Sequence, residues 1–456
     1  MPRPIWILVL LGCALRLHGL GVHSLWYDEA ATLHVALADD LVATLLGDRH
    51  PPLSHLAFRA WSAWSEPTDV ALRLLPALLS CATLAMAART WCDTRRPAVA
   101  AFAVALLACS PFSIWYAQEV RMYAFVEFGA VAGLLGIHRL DQGKRAVGMG
   151  WIALGCSVAL GSHYFGGCVA IQVAVLAMLR GPRSAVAVRA VAATILGCLP
   201  WLPWLVSAVP QQLNTPWGFQ ARMGLGDLVQ LPVRMLVIQG AALPSALVWA
   251  VAGCVGIGLL AALHRARSAA ATRDALTAFA TPIAAAGLVA MVLPPNFAPN
   301  YLIAAAPALS IALADGLTGT HRTARLAWAL PVLLLTAALL LRTDNLKEDY
   351  RSACAEVASA WSPGDVVVAV SGTPEGFSQA PLRHYLRGTS AAAAIVAPDE
   401  AAAKLRDPAF DGRVHVVWRA AEYAKPQFDG LLALAELVAK GPTRYRIQSL
   451  VLRPRR

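Results

Sequence analysis

Charge is scarce in this chain. Asp, Glu, Lys and Arg make up 14% of its 456 residues and hydrophobic types 58%, whereas an average soluble domain is about a quarter charged. That balance excludes an ordinary water-soluble globular domain and leaves a polytopic membrane protein. Cysteine pairing is missing too. Nine cysteines lie at 13, 81, 92, 109, 156, 168, 198, 254 and 354, and none forms a CxxC pair. All but Cys354 sit in or at the ends of apolar runs, where cysteine behaves as a small hydrophobe. Neither a disulfide framework nor a cysteine-based metal site is implied. The hydrophilic C-terminal stretch carries no glycine-rich phosphate loop, which argues against a nucleotide ligand there. No basic helix or aromatic-basic module occurs, so the net charge of +11 does not point to nucleic acid. There is no internal repeat, and no low-complexity tract beyond alanine-rich patches.

What the chain does have is apolar runs of membrane-spanning length. A bilayer core requires about 20 apolar residues per helix. Eleven spans are expected near 4–22, 70–90, 97–113, 121–138, 148–163, 165–180, 190–209, 244–263, 274–294, 299–317 and 324–342. Ile5 to Leu17 also has the form of a signal peptide, with Leu10-Leu11-Gly12-Cys13 resembling a lipoprotein cleavage box. Its apolar core is short and Arg16 follows closely, which favours an uncleaved first span with Arg16 snorkelling near its outer end.

Lysine and arginine set the orientation. With the N-terminus cytoplasmic, the inside segments carry 15 Lys and Arg residues and the outside segments before the tail carry 5. The positive-inside rule selects that orientation. Residues 1–342 then form a transmembrane domain with a long first outer loop, 23–69, and another at 210–243. Odd parity places 343–456 outside the cytoplasm as a separate soluble domain. Tyr350 to Trp361 has amphipathic helical spacing there, and Asp365 to Val370 reads as a buried strand. Apolar runs at Ala394–Ala397, Arg413–Trp418 and Tyr445–Leu452, with helical stretches between them, predict a small α/β layer.

Polar residues outside the spans collect on the extracytoplasmic side: Asp28, Glu29, His50, Glu119, Arg121, Tyr123, His163 and Tyr164. A charge at bilayer depth costs about 2.5–3.5 kcal/mol or more, so such groups tend to pair or to line a cavity. Asp28 and Glu29 are adjacent carboxylates beside Trp26 and Tyr27, a set suited to deprotonating a hydroxyl. A helix N-cap role at the start of Glu29–Ala38 is the plainer reading of Asp28, and the two roles are compatible. His50 stands before Pro51-Pro52, which fix an extended turn; it is either a phosphate or hydroxyl contact or a plain loop histidine. If helix begins near Gln118, then Glu119, Tyr123 and Glu127 fall on one stripe, expected to face a cavity. Arg121 is a planar, permanently charged phosphate ligand or, more plainly, a salt-bridge partner of Glu119 or Asp28. The loop 210–243, with Arg222 and Arg234, reads as a lid. Pro294 to Tyr301 is a further outer turn.

These motifs carry a resemblance. Leu25-Trp26-Tyr27-Asp28-Glu29-Ala30, His50-Pro51-Pro52-Leu53, Tyr116-Ala117-Gln118-Glu119-Val120-Arg121-Met122-Tyr123 and His163-Tyr164 stand in the same order as motifs of bacterial GT-C glycosyltransferases. The chain resembles the branch related to protein O-mannosyltransferases and lipid A aminoarabinose transferases. Tyr350-Arg351-Ser352-Ala353 is similar to that family's start of its C-terminal domain. One departure is Asn300, where members often carry a basic residue before the tyrosine matching Tyr301. One phosphate contact is then either missing or supplied by Arg222 or Arg234.

The resemblance implies an inner-membrane enzyme of the bacterial cell envelope that uses a polyprenyl-phosphate-linked sugar donor. The acceptor is a hydroxyl of a glycolipid, polysaccharide or protein. Asp28 would accept the acceptor's proton in a single inverting displacement, with Glu29 or Glu119 in support. Arg121, His50 and His163 would hold the leaving phosphate. Trp26, Tyr27, Tyr123, Tyr164 and Tyr301 would line the substrate path. No strong metal-ligand cluster is visible, although Asp28 and Glu119 leave a shared divalent ion open. The alternative is a transporter or flippase of lipid-linked sugars that makes and breaks no bond, with the paired carboxylates as a proton relay. Paired halves with broken helices would favour it, and no such symmetry is evident.

Overall fold

The computed structural model describes residues 1–48, 50–213, 230, 232–233, 245–292, 298–317, 333, 336–337, 347–371, 375–421, 424–444 and 446–455. The chain forms two compact units. One comprises Met1–His18, Val42–Ser65 and Ala71–Arg342, and the other Gly19–Leu41, Glu66–Val70 and Thr343–Arg456. The division differs from a simple cut at 342/343, because part of the first loop belongs with the C-terminal stretch.

The first unit is helical. Five described helices are long and apolar enough to cross a bilayer: Asp69–Thr94, Tyr123–Asp141, Arg145–Ser162, Ala185–Pro210 and Val248–Ala266. A sixth candidate is the pair Pro97–Ala108 and Pro111–Ala117, bent by 53°. The bend has a local cause: Pro111 opens the second segment, and Ser110 caps it by accepting the Ser113 N–H at 3.3 Å. Apolar helices also cover Arg3–Leu17, Gly167–Met178, Ala270–Val292 and Ala306–Gly316. The eleventh expected span, 324–342, lies almost wholly outside the described residues, as does most of 210–243.

Helices Tyr123–Asp141 and Arg145–Ser162 pack backbone against backbone. A Cβ built on Gly155 would sit 2.5 Å from the Gly129 carbonyl oxygen, and one on Gly129 would sit 2.5 Å from the Gly155 oxygen. Small residues at a crossing let two helices approach this closely, and dispersion over the contact then replaces the hydrophobic drive that lipid does not supply. Elsewhere Arg95 ties three helices together. Its Nε donates to both oxygens of Asp315 at 3.0 Å, and a terminal nitrogen donates to the Ala271 carbonyl at 2.7 Å.

Arg16 does not snorkel. It is 1% exposed and points into the helical core. Its guanidinium donates to Ser80 Oγ (2.9 Å) and to the carbonyls of Gly12 (3.0 Å), Ala108 (3.1 Å) and Leu107 (3.1 Å). Glu127, also 1% exposed, accepts from Ser113 Oγ at 2.7 Å and from Ser80 Oγ at 3.5 Å. The carboxylate expected to face a cavity is therefore the acidic end of a buried polar network that begins at Arg16. The helix also starts later than expected, at Tyr123. Gln118 instead caps the first helix, donating to the carbonyls of Arg16 (3.0 Å) and His18 (2.7 Å). Glu119 lies outside that helix, and the stripe through Glu119, Tyr123 and Glu127 does not form.

The second unit is built on a five-stranded sheet: β1 (Val366–Val370), β2 (Ile395–Val396), β3 (Val414–Arg419), β4 (Ala435–Lys440) and β5 (Ile447–Pro454). The order is β2-β1-β3-β5-β4. Strand β1 runs parallel to β2 and β3, while β5 runs antiparallel to β3 and β4. Strand β1 is buried on both faces, which its unbroken Val-Val-Val-Ala-Val sequence permits. On one face Val367 and Ala369 pack with helix Tyr350–Ala360 through Tyr350, Cys354 and Val357. On the other, Val366, Val368 and Val370 meet Ala401, Leu405 and Phe428 from helices Pro398–Arg406 and Lys425–Ala433. Strand β4 has no signal in the sequence. It is a mostly exposed edge strand, Ala-Glu-Leu-Val-Ala-Lys, whose apolar residues continue those of helix Lys425–Ala433, so composition marks no boundary between the two.

Candidate functional site

In the second unit, helix Tyr27–Ala36 carries the paired carboxylates in its first turn. Its N-cap is Trp26, not Asp28. Glu29 does the capping: it is fully buried, and its Oε2 accepts the Trp26 N–H at 3.3 Å. The same oxygen pairs with the Lys347 ammonium at 3.3 Å. Asp28 is half-buried, and its carbonyl accepts from Thr32 Oγ1 at 2.9 Å. Negative charge in the first turn is favoured by the helix dipole. Trp26 and Tyr27 are half-buried, and the Arg419 guanidinium lies 5.0 Å from the centroid of the Tyr27 ring.

In the first unit, His50 has a partner that the motif pattern does not announce. Its Nδ1 lies 2.9 Å from Asp48 Oδ2, and His55 Nε2 lies 3.5 Å from the same oxygen. His50, with His55 and Arg121, holds the Asp48 carboxyl well below the usual carboxylate range against the opposing effect of burial. An ionised Asp48 can only accept, so His50 Nδ1 carries the proton, and Nε2 is the ring nitrogen that remains for a ligand. Burial pushes the imidazole of His55 down to about 4, which keeps it neutral at physiological pH. The sequence contains a weak clue to this set: Asp48, His50 and His55 bracket the double proline within eight positions. Alone, each reads as a loop residue.

Arg121 and His50 both act electrostatically on His163. Arg121 and Glu119 lie in the connection between Pro111–Ala117 and Tyr123–Asp141, and both are buried. The Arg121 N–H donates to the Glu119 carbonyl at 2.7 Å, which tightens the connection into a turn. His163 is 6% exposed and its Nδ1 accepts the Phe165 N–H at 3.1 Å, so the neutral ring carries its proton on Nε2. Aromatic rings enclose it: the Tyr301 centroid lies 4.8 Å away, that of Phe165 5.8 Å and that of Tyr123 6.4 Å. Tyr123 in turn meets Tyr116 edge-on at 4.8 Å. Tyr164 and Tyr301 are half-buried. The structure thus brings Asp48, His50, His55, Arg121 and His163 into one electrostatic group, with Tyr123 and Tyr301 against His163. Arg222 and Arg234 lie outside the described residues. No group of three His, Cys, Asp or Glu placed to hold a metal ion occurs among the described residues.

The fold, a helical body and a small α/β sheet in one chain, has counterparts among solved membrane proteins. Solved structures make the likeness specific. The chain is similar to ArnT from Cupriavidus metallidurans bound to undecaprenyl phosphate, with a TM-score of 0.65, 13% identity, and coverage of 99% of this chain and 98% of that one. ArnT in the apo state gives a TM-score of 0.64 at 13% identity, covering 98% and 97%. The archaeal oligosaccharyltransferase AglB from Archaeoglobus fulgidus, in complex with an inhibitory peptide and a dolichol-phosphate, gives 0.51 at 12% identity, covering 91% and 69%. At these identities the likeness establishes the fold. No protein-family model and no curated protein matches the chain.

Proposed function

We propose that this chain is an integral-membrane glycosyltransferase that moves a hexosyl or pentosyl group from a polyprenyl-phosphate donor to a hydroxyl acceptor at the extracytoplasmic face. The observation that carries the reading is the fold it shares, along nearly its whole length, with ArnT bound to undecaprenyl phosphate. The residue chemistry of each unit supports it. An acceptor oxygen attacks the anomeric carbon, the bond from that carbon to the phosphate oxygen breaks, and configuration inverts. Asp28 takes the acceptor's proton. Glu29 supports it from behind: a carboxylate that is fully buried and already holds the Trp26 N–H and Lys347 is suited to positioning, which leaves the proton to half-buried Asp28. Arg121 stabilises the departing phosphate, with help from His50, whose ring is oriented by Asp48. Glu119 and His163 complete the polar group around Arg121, and Tyr301 and Tyr123 line the path of the donor. The donor sugar comes already activated, so the reaction needs no nucleotide outside the cytoplasm.

The test is product formation. Purified protein in lipid nanodiscs is incubated with undecaprenyl-phosphate-linked hexoses and pentoses in separate arms, together with a lipid extract, a polysaccharide or a protein as acceptor. Release of undecaprenyl phosphate coupled to an inverted glycosidic product supports the proposal. Movement of the intact lipid-linked sugar across the bilayer with no release contradicts it and favours a flippase.

A further inference from the structure

We propose that the C-terminal part of the second unit is a clamp on the segment bearing Asp28, with Lys347, Glu348, Tyr385 and Arg419 as positioning residues for that carboxylate. The inference rests on the reading of Asp28 as the base. It starts from an accounting of amides. A helix leaves its first N–H groups without partners inside the helix, and a nearby Ser, Thr, Asp or Asn usually accepts one of them. The approach to helix Tyr27–Ala36 uses partners more than 300 positions away instead. The Leu25 N–H donates to Tyr385 Oη at 2.6 Å. The Tyr27 N–H donates to Glu348 Oε2 at 3.2 Å. The intervening Trp26 N–H donates to Glu29 at 3.3 Å, on the oxygen that Lys347 also holds at 3.3 Å. Three consecutive amides that lead directly into Asp28 are thus fixed by side chains, two of them directly from the C-terminal stretch and the third through Lys347.

Those side chains are themselves held. Arg419 Nε donates to Glu348 Oε1 at 2.6 Å while its guanidinium covers the Tyr27 ring. Tyr385 donates its own proton to Asp69 Oδ2 at 2.7 Å, and Asp69 also binds Arg351 at 2.5 Å and His384 at 2.9 Å. The Arg351 N–H donates to Ser24 Oγ at 3.1 Å, one residue before the first clamped amide. A domain that served only to add bulk, or to bind an acceptor on a remote face, would not require a buried carboxylate and a half-buried phenol and guanidinium to converge on the stretch Ser24–Glu29. Fixing Asp28 in this way is worth rate, because a displacement of about 1 Å in a reacting group costs on the order of 10²-fold.

The experiment uses the full chain in nanodiscs with whichever undecaprenyl-phosphate sugar gives turnover in the release assay. Tyr385→Phe removes the acceptor of the Leu25 N–H and keeps the ring. Glu348→Gln keeps the shape and weakens the hold on Tyr27, and Arg419→Lys keeps the charge but loses the directed Nε bond. The clamp predicts that each lowers kcat about ten-fold or more while the donor KM stays within about two-fold. Hydrogen exchange at Leu25 and Tyr27, measured without substrate, should quicken in Tyr385→Phe and Glu348→Gln. Arg444→Ala, which breaks the Arg444–Glu356 pair elsewhere in the same unit, should leave both readouts unchanged. Wild-type kcat together with unchanged exchange in Tyr385→Phe and Glu348→Gln overturns the clamp, as does an equal loss in Arg444→Ala. Asp28→Asn in the same assay separates the two ideas: an active Asp28→Asn refutes the base assignment, whereas an inactive one beside fully active clamp variants refutes the clamp alone.

Discussion

Removing one end of the buried network between Arg16 and Glu127 should damage the protein more than removing both. Each residue is 1% exposed. Ser80 links them, accepting from Arg16 at 2.9 Å and donating to Glu127 at 3.5 Å, and their charges act on each other. Arg16 also satisfies three backbone carbonyls, so its charge is well solvated by dipoles, but Glu127 is the acidic group whose charge acts on it most strongly. Glu127→Gln keeps a side chain able to bond Ser113 and deletes the counter-charge. Breaking a buried pair from one side costs about 3–5 kcal/mol, and the bonds that Arg16 keeps to Ser80 and three carbonyls put the loss at the lower end of that range. Transfer of an Arg to the centre of a membrane helix, about 2.5–3.5 kcal/mol, sets a similar scale. Arg16→Met should cost a comparable amount by stranding Glu127. The double variant Arg16→Met/Glu127→Gln removes both charges and should cost about 2 kcal/mol or less, giving a coupling energy of several kcal/mol. Equilibrium unfolding in mixed micelles, followed by the fluorescence of the 14 tryptophans, measures all three. Losses that add in the double variant, or single variants within about 0.5 kcal/mol of wild type, would refute the reasoning.

Gly155→Leu should force apart the helices Tyr123–Asp141 and Arg145–Ser162, since even a Cβ meets the Gly129 oxygen at 2.5 Å. The expected cost is about 3 kcal/mol or more in the same unfolding assay, whereas Gly253→Ala, where a Cβ meets nothing within 4 Å, should be neutral or stabilising. The buried His55 gives a pH signature. Its folded-state value of about 4 lies below the ordinary 6.5, so between those values the unfolded chain binds the proton and the folded one does not. Stability should therefore fall as pH drops from about 6.5 to about 4, by up to about 3 kcal/mol from this group, and His55→Asn should flatten the curve by that amount. An unchanged pH–stability curve in His55→Asn would contradict the burial argument. Arg121→Ala should raise the KM for an undecaprenyl-phosphate sugar about ten-fold or more while sparing the acceptor KM, the scale expected for removing a charge-assisted hydrogen bond. The opposite pattern would move the phosphate site elsewhere.

Much of this architecture is legible from apolar run length. The runs at 70–90, 121–138 and 148–163 each fall on a helix long enough to span. The strand at Val366–Val370 is legible because a strand buried on both faces must be apolar throughout. Strand β4 is not, since its Leu-Val-Ala follows closely on the apolar residues of helix Lys425–Ala433 and reads as their continuation. Arg16 misleads because a lone arginine near a helix end has a local option, snorkelling, and sequence does not reveal that Ser80 and two carbonyls at 107 and 108 offer a better one. The acidic pair is legible as a feature, but its division of labour is not. Glu29 is the residue that caps, and the Lys347 that holds it lies 318 positions away. Asp48 stays hidden for a related reason: an aspartate in a loop gains meaning only when a histidine two residues on turns back to meet it at 2.9 Å.

The central claim is that Asp28 drives sugar transfer from a polyprenyl phosphate. It is tested most directly by release of undecaprenyl phosphate from a lipid-linked sugar by wild type and Asp28→Asn, compared in nanodiscs at matched folding. Loss of a general base typically costs about 10²–10⁴-fold, so the account predicts release by wild type and a fall of that size in Asp28→Asn with donor binding retained. Turnover within a few-fold of wild type in Asp28→Asn would contradict the assignment of the base, and no release by wild type from any hexose or pentose donor would contradict the proposed transferase activity itself.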